Sequence, residues 1–109
     1  MIGRLRYGAS AATHLDVLRW ASEGSARCLG RDDIGRIAPG YQADLALFTL
    51  DEPRFSGAHD PLAALILCGA HRADRVMITG AWRVVDGAPI GLDLAALIAE
   101  HRAAAHDFA

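Results

Sequence analysis

Gly35-Arg-Ile-Ala-Pro-Gly-Tyr-Gln-Ala-Asp-Leu-Ala-Leu-Phe-Thr-Leu50 is the stretch whose reading decides the fold. Ala38-Pro39-Gly40 spells a type II turn, because proline presets φ at the first central position and glycine supplies the positive φ at the second. The ring of Pro39 disfavours helical geometry just before it, which predicts a strand-like approach through Ile37-Ala38. Beyond the turn, residues 43–50 are apolar on both alternating faces except at Asp44 and Thr49. That pattern predicts a short strand covered on both sides. Asp44, the polar residue at the strand's entry, is expected to accept backbone N–H bonds or to face a partner domain, with a catalytic role the weaker alternative.

Upstream of this stretch, residues 1–12 carry no periodic pattern. Arg4, Arg6 and Tyr7 open the chain with no cap or strand signal, which reads as an entry from something upstream. Thr13 followed by Asp16 approximates a capping box and starts a helix. Leu15, Leu18 and Ala21 form its stripe, widened by Val17 and Trp20. Ser22-Glu23-Gly24 predicts an interruption before a second short helix over 25–29, ended by Gly30 as its C′ residue. Arg31-Asp32-Asp33 is a charged connector. Paired aspartates can serve acid–base chemistry, but no third polar partner accompanies them, so a solvated turn is the reading.

Downstream, residues 51–59 form a polar loop containing Pro53 and Gly57. Asp60-Pro61 reads as N-cap and N1 of a helix over about 61–68, with Leu62, Leu65 and Ile66 as its apolar face and Gly69 as its end. A β-branched strand over 74–79, a two-residue type II′ turn at Gly80-Ala81 and a return strand over 82–85 make a hairpin, closed by Asp86-Gly87. Asp93 caps a last helix whose face carries Leu94, Leu97, Ile98, His101, Ala105 and Phe108. The expected order is helix, helix, strand, helix, hairpin, helix, in an α+β arrangement.

The chain has 109 residues, one domain's worth at most. Apolar residues make up 52% and mean hydropathy is +0.18, more than a small body with much surface needs, which points to a partner or a further domain. A net charge of −2 without like-charge runs gives no support for nucleic-acid or membrane-surface binding. No apolar run approaches the roughly 18 residues of a membrane span, and the N-terminus lacks a signal peptide's apolar core. Cys28 and Cys68 lie in apolar helical runs and are expected to be buried free thiols, with a cytoplasmic location.

Five histidines invite a metal hypothesis. His14, His59, His71, His101 and His106 contain neither His-x-His nor His-x-x-x-His, and no Cys-x-x-Cys accompanies them. His101 and His106 lie five apart, on different helix faces. His101 is expected to be a packed or interface histidine. No Gly-x-Ser-x-Gly elbow, P-loop or dinucleotide fingerprint occurs, Ser25 reads as a small helix or cap residue, and neither cysteine has an indicated histidine partner. On its residues alone, the chain offers no catalytic, cofactor-binding or metal-binding site.

Gly35-x-Ile37-x-Pro39-Gly40-x-x-Ala43-Asp44-Leu45 resembles the signature with which metal-dependent amidohydrolases leave their catalytic barrel and enter a small flanking β-sandwich. Leu18 to Gly35 is similar to the final barrel helices of amidohydrolases of the cytosine/guanine-deaminase and chlorohydrolase type. Asp74 to Gly87 is similar to the closing hairpin of their sandwich. Asp60 to His71 most resembles the branch containing 8-oxoguanine deaminase and hydroxytriazine aminohydrolases. The resemblance implies residues 1–33 as the end of a (β/α)8 barrel, 34–90 as the C-terminal part of a composite β-sandwich with an inserted helix, and 91–109 as a terminal helix. It also implies Zn²⁺ or Fe²⁺ in the full-length enzyme, bound by residues upstream of Met1, with a purine or triazine as substrate.

The leading expectation is therefore a C-terminal fragment of a purine or triazine aminohydrolase, inactive alone and missing its barrel. The alternatives are a stand-alone α+β binding or scaffold module, and a complementing subunit of a separately encoded barrel.

Overall fold

The computed structural model describes residues 11–69 and 72–108; the expected upstream entry at Arg4, Arg6 and Tyr7, and His71, lie outside them. Helix α1, His14–Arg19, begins with the expected capping box. The Thr13 side chain accepts from the Asp16 N–H, and the Asp16 carboxylate accepts from the Thr13 N–H at 2.9 Å. That backbone hydrogen bond, followed by the Thr13 hydroxyl, holds the Asp16 carboxyl below its ordinary value. A depressed carboxyl stabilises the folded form above its ordinary value, and the contribution disappears as pH falls through the lowered one. Helicity of residues 13–19, followed by carbonyl and amide chemical shifts, is accordingly expected to drop only at the acid end of the carboxylate range.

The expected break at Ser22-Glu23-Gly24 is absent. The helix continues through a π-helical turn, Trp20–Gly24, into α2, Ser25–Cys28. Side chains compensate the widened turn: Ser22 Oγ donates to the Leu18 carbonyl at 2.7 Å, and Ser25 Oγ to the Trp20 carbonyl at 3.4 Å. Gly30, with φ +68°, ends the helix as expected.

The loop that follows returns across this π turn at Gly35. Its φ is +89°, and a Cβ there would meet Ala26 Cβ and the Ser22 carbonyl oxygen at 3.0 Å each. Only glycine satisfies both the left-handed backbone and this approach. Gly35→Ala is expected to cost about 2–4 kcal/mol, combining left-handed strain with overpacking. Faster amide exchange at Leu29, Gly30 and Arg31, which bond back to Ser25, Ala26 and Arg27, would report it.

The Pro39-Gly40 turn is type II as expected, with Tyr41 N–H donating to the Ala38 carbonyl and Gly40 at φ +86°. Its approach differs: Ile37-Ala38 forms no strand, and Ile37 is 90% exposed. Strand β1 spans only Leu45–Leu47. It pairs antiparallel with β2, Arg75–Ile78, which pairs with β3, Ala81–Val85, and β3 with β4, Ala88–Pro89. The result is a four-stranded antiparallel meander in chain order. The hairpin turn is not Gly80-Ala81 but Thr79-Gly80, with φ of +49° and +78°, both positive as a type I′ turn requires. Type I′ matches the twist of the flanking strands, which outweighs the cost of a β-branched residue at positive φ. Asp86-Gly87 makes a second such turn and leads into β4, an element not expected from the sequence.

Helix α3, Pro61–Leu67, opens on Asp60, whose Oδ1 accepts from Leu62 N–H at 2.9 Å and Ala63 N–H at 3.1 Å. It packs against α1 and against a 3₁₀ turn, Pro53–Phe55, inside the expected polar loop. Helix α4, Leu94–Asp107, opens on Asp93.

The core is small. Ala12, Ala26, Phe55 and Ala64 are the buried apolar residues among those described, and none is in the sheet. The covered strand expected over 43–50 is instead half to largely exposed, with Leu47 uncovered. Cross-strand pairing sets Leu45, Met77 and Trp82 side by side and Ala46, Val76 and Val84 likewise, a bulge in the β2–β3 register between Val76 and Met77 breaking the alternation of Trp82 and Val84. Both faces are thus largely apolar, and among the described residues no second layer buries either of them. Cys28 and Cys68 are likewise exposed rather than buried, because the apolar stripes of their helices are not covered.

Candidate functional site

The polar groups gather where α2 ends and the 31–41 loop begins. A hollow of about 170 Å³ is lined there by Glu23, Arg27, Arg31, Asp32, Arg36 and Tyr41, among others. Asp33 does have a third polar partner, contrary to expectation. Arg31 grips it with Nε at 2.8 Å and Nη2 at 2.7 Å, a bidentate pair that holds the Asp33 carboxyl below its usual range. The Asp33 carbonyl accepts from Gln42 N–H at 2.7 Å, tying the connector to the far side of the Pro39-Gly40 turn. Arg36 donates to Glu23 at 3.1 Å. Asp33 and Glu23 are thus each engaged by a guanidinium group, while Asp32 is the further carboxylate of the lining.

Asp44 resolves in favour of the first of its alternatives. Its Oδ1 accepts from the Thr79 N–H at 2.7 Å, while the Ala43 carbonyl accepts from Gly80 N–H at 3.1 Å. The residues entering β1 therefore hold the tip of the β2–β3 hairpin, including the strained Thr79. Asp44→Ala is expected to cost about 1 kcal/mol, the value of an ordinary hydrogen bond rather than the roughly 1.5–3 kcal/mol of a charge-assisted one, because the site is open to water. Exchange of the Thr79 amide should quicken roughly fivefold. A second clamp acts at the next turn, where Arg72 Nε donates to the Gly87 carbonyl at 2.9 Å.

The four described histidines do not converge. His14 Nε2 lies 3.3 Å from Asp60 Oδ2, joining the start of α1 to the cap of α3. His59 is exposed in the loop before α3, and His101 and His106 are exposed on α4, so of the two expectations for His101, packing within this chain is not seen and an interface position stays open. Among the described residues no three His, Cys, Asp or Glu side chains are grouped to hold a metal ion. The described residues therefore do not fit the three- or four-ligand centre that zinc requires. Sequence reasoning missed the Arg31–Asp33 pair, signalled only by opposite charges two residues apart in a turn. The His14–Asp60 pair spans 46 positions and leaves no local signal.

The model of the Amidohydrolase family matches residues 1–83. The chain belongs to the amidohydrolase family. It is 74% identical over 102 residues to 8-oxoguanine deaminase of Pseudomonas aeruginosa, covering 94% of this chain and 23% of that protein. Two amidohydrolase neighbours of known structure superpose closely. Atrazine chlorohydrolase from Arthrobacter aurescens TC1, complexed with zinc, has a TM-score of 0.79 at 34% identity, covering 94% of this chain and 26% of its own. An adenosine deaminase from Xanthomonas campestris with bound zinc has a TM-score of 0.82 at 36% identity, covering 90% and 23%. This amidohydrolase chain thus spans about a quarter of the length of the relatives it matches. Its helices and antiparallel sheet are those of the corresponding part of the family fold. Among the described residues, no helix is long and apolar enough to cross a membrane.

Proposed function

We propose that this chain is the C-terminal part of an aminohydrolase that deaminates a purine or triazine ring, with 8-oxoguanine or a guanine-like purine as its substrate. The reading is carried by the 74% identity to 8-oxoguanine deaminase across 94% of the chain. In such a hydrolysis, water adds to the ring carbon bearing the amino group, ammonia leaves, and a carbonyl remains. The described residues supply neither metal ligands nor an acid–base pair for that step. The reading therefore assigns the Zn²⁺ or Fe²⁺ and the groups that touch substrate to sequence this chain does not contain.

Within this reading, residues 1–33 finish the (β/α)8 barrel, residues 34–90 contribute β1–β4 and α3 to the flanking sandwich, and residues 91–109 carry the terminal helix. The apolar sheet faces supply the surface that a barrel and further strands would cover. A cytoplasmic location belongs to the same reading, and two free thiols fit it. The test is the DNA immediately upstream of the Met1 codon, read in the same frame. An open frame encoding a His-x-His and a later barrel aspartate is the expected result. A stop codon with a ribosome-binding site next to Met1 would overturn it in favour of a self-standing module.

A further inference from the structure

We draw no further inference here: the strongest candidate, the apolar stripe of α4 along Leu94, Leu97, Ile98 and Phe108, is exposed but nothing in the structure shows what covers it.

Discussion

Grafted in place of the matching segment of Pseudomonas aeruginosa 8-oxoguanine deaminase, this chain is expected to leave ammonia release from 8-oxoguanine within about tenfold of the parent, an activation difference of roughly 1.4 kcal/mol. Purified by itself and supplied with Zn²⁺ or Fe²⁺, it is expected to release none. The first half follows from 74% identity over 102 residues and from what those residues do. Asp44, Gly35 and the Arg31–Asp33 pair shape turns and helix ends. Substitutions at such positions change how firmly the segment docks, which acts on the amount of folded enzyme more than on kcat. The ratio of kcat/KM for 8-oxoguanine over guanine should accordingly stay at the parental value, because discrimination is set by groups in contact with the ring. A soluble, metal-loaded graft with more than a thousandfold loss, or with that ratio inverted, would mean that this segment carries substrate-contacting groups. Ammonia from the isolated chain would mean that it holds its own centre.

Local chemistry made most of the elements legible. Thr13, Asp60 and Asp93 each announce a helix start by offering an oxygen to orphan N–H groups, and each does so in the fold. Pro39-Gly40 and Gly30 are equally direct, since their φ preferences leave few other conformations. What failed needed information from beyond the neighbouring residues. Gly24 looks like a helix breaker, yet the π turn absorbs it and sets the surface on which Gly35 lands. Thr79 at positive φ contradicts its own preference and is held by Asp44, 35 residues away. Phe55 sits in a stretch that reads as polar loop but is buried beside α3. Burial was misjudged in the other direction at Leu47, Cys28 and Cys68, because apolar patterning states that a face should be covered and not that the cover lies in the same 109 residues. The candidate site followed the same rule. The pairing of His14 with Asp60 depended on how α1 meets α3, which no local pattern states.

In solution, the isolated chain is expected to unfold without a cooperative transition and to bind a hydrophobic dye such as ANS already in buffer. Its accessible surface is 8457 Å², whereas a compact monomer of this mass exposes about 5,800 Å². The excess is therefore about 2,600 Å² on a single chain, well beyond the roughly 800 Å² per partner of a standard interface. A radius of gyration of 17.6 Å, against about 13 Å for a compact domain of this length, describes the same deficit. Large apolar groups account for much of the exposure, including Ile37, Trp20, Phe108 and both faces of the meander. Taking roughly 55–60% of that excess as apolar, at about 25 cal/mol per Å² leaving it in water forfeits about 35–40 kcal/mol, several times the net stability of an ordinary domain. Short-range structure can outlast that loss. The capping box, the two aspartate N-caps and the type I′ turns form within a few residues, so partial helicity is expected to persist while tertiary contacts fluctuate. Differential scanning calorimetry, dye fluorescence and near-ultraviolet circular dichroism would check this together. A sharp heat-capacity peak with no dye binding by the monomeric chain would show that it closes its own core, and the case for a covering barrel would lose its energetic basis.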